Sequence, residues 1–262
     1  MARANRHYIP NCIWHITHRC HKREFLLKFR KDKKNWIKWL FEAKKRFGLC
    51  ILNFAVTSNH IHLLVVDTDK NVISKSIQLI AGRSAREYNL RRKRKGAFWE
   101  DRYHATAIQD GLHLLRCLLY IDMNMVRTGV VEHPSEWDFC GYNEILEPPQ
   151  RYSLINYNSL LSFCGYSDKL EFQSDYKSLI KEEINNDNLE RKSMWTESIA
   201  VGNKEFIKDI KTSFGVLAQG RTIKTQDDKF MIREDLEPYN AVFDSKKCTL
   251  SSENSLLWNV FH

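Results

Sequence analysis

No stretch of the chain stays apolar for the roughly 20 residues that a bilayer-spanning helix needs. The opening residues, MARANRHYIPNC, lack the apolar centre of a secretory leader. There is no Cys-x-x-Cys pair, and the seven cysteines (Cys12, Cys20, Cys50, Cys117, Cys140, Cys164, Cys248) are odd in number and scattered. That spacing argues against a disulfide framework or a zinc site and points to reduced thiols in a cytoplasmic protein. Internal repeats and low-complexity tracts are also missing. Acidic residues are scarce in one part of the chain only: residues 1–150 hold 26 Lys/Arg against 15 Asp/Glu, and residues 151–262 hold 15 against 17. The net charge of +9 therefore belongs to the first part, and a field of that sign suits a polyanion such as nucleic acid as well as an ordinary solvated surface.

The remaining pattern is regular. NCIWHITHRC (11–20) mixes aromatic and β-branched residues and reads as a strand. In RKDKKNWIKWLFEAKKRFG (30–48), Trp36, Leu40, Ala43 and Phe47 recur at helical spacing, and Gly48 stops the helix. LCILNFAV (49–56) and HIHLLVVD (60–67) read as two strands joined by Thr57-Ser58-Asn59. NVISKSIQLIAGRSAREYNLRR (71–92) reads as a second helix, FWEDRYHATAI (98–108) as a fourth strand, and LHLLRCLLYIDMNMVR (112–127) as a third helix. The order β-α-β-β-α-β and then α is the ferredoxin-like α+β plan, an antiparallel four-stranded sheet with helices on one face and the other face open. Pro148-Pro149 marks a boundary between a domain at 1–147 and a helical C-terminal extension at 148–262 whose polar tail is expected to be partly disordered.

Two imidazoles interrupt the apolar run AVTSNHIHLLVV (55–66). Successive strand residues point to opposite faces, so His60 and His62 share one. Such a pair is half of a metal site, an accident, or a set of cross-strand hydrogen-bonding histidines. Tyr120 and Asn124, four apart, share a helical face with Cβ atoms roughly 6 Å apart. Asn is unfavourable inside an apolar helix unless its amide is used. Taken singly, Tyr120 also reads as a core aromatic and Asn124 as a helix-end residue before Gly129.

His60-Ile-His62 followed by LLYIDMNMVRTGVV (118–131) resembles the single-strand tyrosine transposases, a branch of the HUH nucleases. Within them the similarity is to the REP-associated tyrosine transposases, supported by Asn59, AREYN (85–89), GAFWEDRYHATAI (96–108) and EWDFCGY (136–142). A looser likeness extends through Trp195, Glu197, Val201, Gly202 and Phe206. Met125 and Thr57-Ser58 depart from the family, which usually has proline after the asparagine and Met-Pro in the connector. The resemblance implies a DNA-cleaving and rejoining enzyme of the bacterial cytosol, associated with the nucleoid. Tyr120 would be its nucleophile, and His60, His62 and Asn124 the ligands of a divalent metal, Mg²⁺ or Mn²⁺. The partner would be single-stranded or hairpin DNA, with a monomer favoured over a homodimer.

Basic residues along the first part are candidates for phosphate contact: Arg19, Lys22, Arg83, Arg86, the run Arg91, Arg92, Lys93, Arg94 and Lys95, and Arg102 and Arg127. Trp99 is a candidate for stacking on unpaired bases, while Phe98 suits the core better. A catalytically idle hairpin-binding protein is the alternative function. An RNA-binding ferredoxin-like module is disfavoured, since its aromatic signature is missing.

Overall fold

The computed structural model describes residues 8–186, 191–215, 222–226 and 229–233. Its first strand, β1 (Ile13–Arg19), is followed by α1 (Arg30–Phe47), β2 (Cys50–Val56), β3 (His60–Val66), α2 (Val72–Arg92), β4 (His104–Ile108) and α3 (Leu112–Asp122). α1 ends where the sequence says it should: Gly48 adopts a left-handed φ of 69° and its N–H bonds back to the Lys44 carbonyl. β1 pairs antiparallel with both β3 and β4, and β3 pairs antiparallel with β2. This is the expected ferredoxin-like core.

Period-two alternation divides the strand residues between two cores. Trp14, Ile16, Ile61, Leu63 and Val65 face α1 and α2, where they meet Trp36, Leu40, Ala43, Ile73, Ile77 and Ile80. Ile13, Leu52, Leu64, Val66 and Ile108 face the other way. The sequence suggested that this second face is open. It is instead covered by α3, α6 (Tyr157–Cys164), α7 (Lys169–Asn185) and α8 (Met194–Glu197), following the short α4 (Asn124–Arg127) and α5 (Tyr142–Leu146). The reason is that only one end of that face carries histidines. The rest presents Leu52, Leu64 and Val66, whose apolar surface must leave water.

Two further boundaries differ from the sequence reading. The fourth strand spans only residues 104–108, because Phe98 and Trp99 pack on side chains (Phe98 on Tyr88, Trp99 on His18) and only an isolated bridge joins Trp99 to Cys20. The C-terminal extension is more than helical. β5 (Ala200–Gly202) adds parallel to β4, and after α9 (Lys204–Phe214) the hairpin β6 (Thr222–Gln226) and β7 (Lys229–Arg233) completes a seven-stranded sheet, β2-β3-β1-β4-β5-β7-β6. Residues on both sides of 147/148 contribute to both cores. The rest of the tail, where disorder is expected, lies outside the described residues. Among the described residues, no helix is long and apolar enough to cross a membrane.

A buried polar link ties the layers together. Asp122 accepts hydrogen bonds from Asn53 Nδ2 (3.0 Å) and from the Tyr176 hydroxyl (2.6 Å), joining α3 to β2 and α7. Burial raises the Asp122 carboxyl to about 7, against the pull of these two donors. Gly141 must remain glycine for a reason of space: a Cβ there would sit 2.2 Å from Asn53 Oδ1 and 3.0 Å from Ile155 Cδ1. Asn53 cannot swing aside without releasing Asp122. Gly141→Ala should therefore lower stability by about 1–3 kcal/mol in urea unfolding. Gly82→Ala, on α2 with open space around it, should raise stability by about 0.5–1 kcal/mol.

Candidate active site

His60 opens β3 and is oriented by the connector before it. Its Nδ1 lies 2.7 Å from Asn59 Oδ1 and 2.9 Å from Thr57 Oγ1. Thr57 Oγ1 donates to the His60 carbonyl and accepts from the backbone N–H groups of Asn59 and His60, which makes a tight three-residue turn. Because Asn59 Oδ1 can only accept, the hydrogen sits on His60 Nδ1 and Nε2 keeps the lone pair. Thr57 and Asn59 thus orient the His60 ring with their own side chains.

His62 is 1% exposed. Thr17 is its cross-strand partner on β1, and His15 is the diagonal neighbour on the same face. His62 Nδ1 lies 2.9 Å from His15 Nε2, and His15 Nδ1 lies 2.8 Å from the Trp195 carbonyl of α8. His62 is therefore a cross-strand hydrogen-bonded histidine, as well as a partner of Asn124. Next to it on the same face, Thr106 Oγ1 donates to the Ser198 carbonyl (2.6 Å), which also lies 2.9 Å from His104 Nε2. The segment 195–198 so supplies acceptors to a polar stripe that crosses β1 and β4.

α3 and α4 bring Tyr120 and Asn124 to this stripe. The sequence suggests one helix over 112–127; the structure interrupts it at Met123 (φ −73°, ψ 0°), yet Met123 N–H still bonds to Leu119 O and Arg127 N–H to Met123 O. Both side chains therefore still face the sheet. Asn124 Nδ2 is 3.1 Å from His62 Nε2, and Asn124 Oδ1 is buried with no hydrogen-bond partner among the described residues. The Tyr120 ring meets His62 edge-on at 5.8 Å and His15 at 6.1 Å between centroids. Arg127 lies over the Tyr120 ring at 4.2 Å and donates to the Tyr120 carbonyl. Trp195 closes the remaining side at 6.3 Å, leaving Tyr120 only 5% exposed.

Burial decides the protonation states. It pushes His60 down to about 4, with the positive charges of Arg19, Arg191 and Arg127 adding to the effect. It pushes His15 down to about 3 and His62 well below its ordinary value. All three rings are neutral near pH 7, as metal-ligating imidazoles must be. Burial raises the Tyr120 phenol, while Arg127 and Arg191 pull it back.

Among the described residues, no three His, Cys, Asp or Glu side chains group as a metal site. The ligand set in question is different in kind, two imidazoles and a carboxamide. Its fit rests on Asn124 Oδ1, a hard acceptor close to His62 Nε2 that no group among the described residues satisfies. His60 and His62 rings lie 4.9 Å apart, edge to face.

The candidate DNA contacts distribute unevenly. Arg19 lies directly opposite His60 in the β1–β3 register and pairs with Glu100 at 3.7 Å. Lys22, in the short turn after β1, Arg86 on α2, and Lys93, Lys95 and Arg102 in the stretch from the end of α2 to β4 are exposed. Arg83 stacks on Trp39, Arg92 on Phe29, and Arg94 pairs with Glu24 at 3.6 Å. Arg91 is paired with the buried Asp32. Trp99 is half-buried, with one ring face on His18 (4.2 Å between centroids) and its Nε1 donating to Ala81 O. Phe98 is core. Of these candidates, Arg19 and Arg127 adjoin the histidines or Tyr120.

Three site residues were not singled out from the sequence: His15, Arg191 and Trp195 (as a site residue). His15 carried a signal, since it alternates with Trp14 and Ile16 just as His62 alternates with Ile61 and Leu63. Arg191 carried none and Trp195 only the looser likeness, both being about 180 residues from β1.

Comparison with known proteins gives one family and two solved structures. Residues 8–124 match the family described as Transposase IS200 like. A REP-associated tyrosine transposase bound to a REP hairpin is 19% identical, aligning over 56% of this chain and 87% of its own at a TM-score of 0.48. A candidate transposase from Deinococcus radiodurans is 19% identical over 39% and 83%, at a TM-score of 0.31. No curated protein matches the sequence.

His18, on the other face of β1, offers a test of the electrostatics away from His60 and His62. Burial lowers it to about 4, so between about pH 6.5 and 4 the unfolded chain binds a proton that the folded chain refuses. Stability from this group is complete above pH 6.5 and is lost as pH falls toward 4. His18→Phe, which keeps an aromatic face on Trp99, should flatten the pH dependence of unfolding near pH 5 by about one proton, ~1.4 kcal/mol per pH unit. An unchanged slope would show His18 to be solvated.

Proposed function

We propose, from the match of residues 8–124 to the family described as Transposase IS200 like, that the chain cleaves and rejoins single-stranded DNA at hairpin-associated sites. Tyr120 is the nucleophile, and His60, His62 and Asn124 hold a divalent cation. The observation that carries this reading is the buried Asn124 carboxamide beside the Tyr120 ring: its Nδ2 meets His62 Nε2, and its oxygen has no hydrogen-bond partner among the described residues. A purely structural asparagine at that position would have its oxygen satisfied.

The residue types suit the chemistry. A phenol with a pKa of about 10 is a weak nucleophile near neutrality. A bound Mg²⁺ or Mn²⁺ supplies charge withdrawal from the non-bridging oxygens of the scissile phosphate and aids departure of the 3′-oxygen. The chain's own residues do the rest. Arg127, over the Tyr120 ring and bonded to its backbone, holds the tyrosine in place and favours loss of the phenolic proton. Asn59 and Thr57 fix His60, with its Nε2 lone pair available. Attack by the Tyr120 oxygen joins it to the 5′-phosphate and frees a 3′-hydroxyl, and the reverse attack by another 3′-hydroxyl reseals DNA with no external energy source. Imidazole ligands suit Mn²⁺ somewhat better than Mg²⁺. Arg19, next to His60, is the phosphate contact nearest the ligands, while Lys22, Lys93, Lys95 and Arg102 supply salt-sensitive affinity farther away.

One observation favours the alternative, a hairpin-binding protein that does not cut: the phenol lies under Trp195 and is almost wholly buried. A single experiment separates the two. A labelled hairpin with a single-stranded flank, incubated with protein and Mn²⁺, should give a covalent protein–DNA adduct. Tyr120→Phe should abolish the adduct with hairpin affinity unchanged, and an undiminished yield would remove Tyr120 from its role. His60→Ala should lower the metal-dependent rate by about 10²-fold or more, given the several kcal/mol a bound cation contributes. Tight hairpin binding with no adduct from the wild-type protein would establish the non-cutting reading.

A further inference from the structure

The hydrogen bonds around His62 form a chain whose direction can be deduced from its far end. The Trp195 carbonyl can only accept, so His15 Nδ1, 2.8 Å away, carries a hydrogen and donates. The second nitrogen of that neutral ring, Nε2, is then a lone pair. It faces His62 Nδ1 at 2.9 Å, so His62 Nδ1 is the donor. His62 Nε2 is left as the lone pair, and the atom 3.1 Å from it must be the NH₂ end of Asn124. That orientation is the one that leaves Asn124 Oδ1 without a partner. Four observations, read in sequence, leave one arrangement of hydrogens.

We propose that His15 is a positioning residue that fixes His62 as its Nδ1–H tautomer, so that His62 Nε2 and Asn124 Oδ1 are both presented as electron-pair donors. This deepens the metal-holding role assigned above to His62 and Asn124, and rests on it. Without an acceptor at Nδ1, His62 has a ready alternative: move its hydrogen to Nε2, let the Asn124 amide turn over, and donate to Oδ1. That arrangement satisfies the orphaned oxygen and removes both donor atoms at once. His15 works against it from a wholly buried place on β1, braced by a carbonyl from a segment 180 residues away. Orienting partners of this kind typically alter metal affinity by 10–100-fold when removed.

The Asn59–His60 contact shows the same logic in a local form, since a side-chain oxygen there also holds the hydrogen on Nδ1. The two histidines are thus set alike by unrelated partners, one from the adjoining connector and one from across the sheet.

The test uses the full chain and has two readouts. In metal-free protein, two-bond ¹H–¹⁵N spectra of the imidazoles should report His62 as Nδ1–H in the wild type. They should report a shift toward Nε2–H in His15→Leu, which removes the acceptor. His15→Gln, whose side-chain oxygen can accept from His62 while its NH₂ donates to Trp195 O, should restore the Nδ1–H form. Calorimetric titration with Mn²⁺ should then show affinity reduced about 10–100-fold in His15→Leu and largely recovered in His15→Gln. A wild-type His62 protonated on Nε2 overturns the proposal without any variant, so it is decided even if His15→Leu fails to fold. An unmoved tautomer in a folded His15→Leu also overturns it, as does undiminished Mn²⁺ affinity. Wild-type protein that binds no Mn²⁺ but shows the tautomer change would end the metal assignment of His62 and Asn124 while leaving the orienting action of His15 in place.

Discussion

An imidazole can be buried cheaply only when both of its nitrogens are matched, one with an acceptor and one with a donor or a cation. The second face of this sheet buries His15 and His62 completely and His60 in large part, and the rest of the site follows from meeting that demand. Burial holds the rings neutral, neutrality gives each ring one hydrogen, and the surrounding acceptors decide which nitrogen carries it. Asn124 meets the last nitrogen of the chain with its only donor group, which leaves its oxygen unused.

The C-terminal segment is therefore part of the site's structure. α8 puts Trp195 against the Tyr120 ring and its carbonyl against His15, while the Ser198 carbonyl accepts from Thr106 and meets His104. In the same region Arg191 places positive charge toward His60, His62 and Tyr120. The segment is acidic in net charge, yet the group it presents to the site is cationic. Net charge over a hundred residues says little about the charge that one cleft receives.

Much of the first 130 residues could be read directly. Alternation placed His60 and His62 on one face, helical spacing of Trp36, Leu40 and Ala43 gave α1, and Gly48 gave its end. These signals are local, and each is enforced by the core that the same residues build. Where the reading failed, the signal was not local. The aromatic richness of 98–103 reflects Phe98 packing on Tyr88 and Trp99 on His18, which imitates strand composition without a ladder. The supposedly open face is closed by Phe172, Tyr176, Ile180 and Trp195, residues that say nothing in sequence about which sheet they cover. β5 is three residues long and makes sense only as an addition to β4. His15 was legible in type and in phase, but its relation to His62 depends on the β1–β3 register, which no local pattern states.

The sheet's borders carry one more consequence. Beyond β4 the hydrogen-bonding groups are taken up by β5 in parallel, and beyond β2 they are partly taken up by bridges from Ile51 to Ile155 and from Ala55 to Cys140. An unprotected border strand is a template on which an extended segment of another molecule can dock by main-chain pairing. Here the four strands of the ferredoxin-like core are flanked on both margins by their own polypeptide. Recognition of any other macromolecule by this half of the protein must then run through side chains, helices and turns, and not through growth of the ladder.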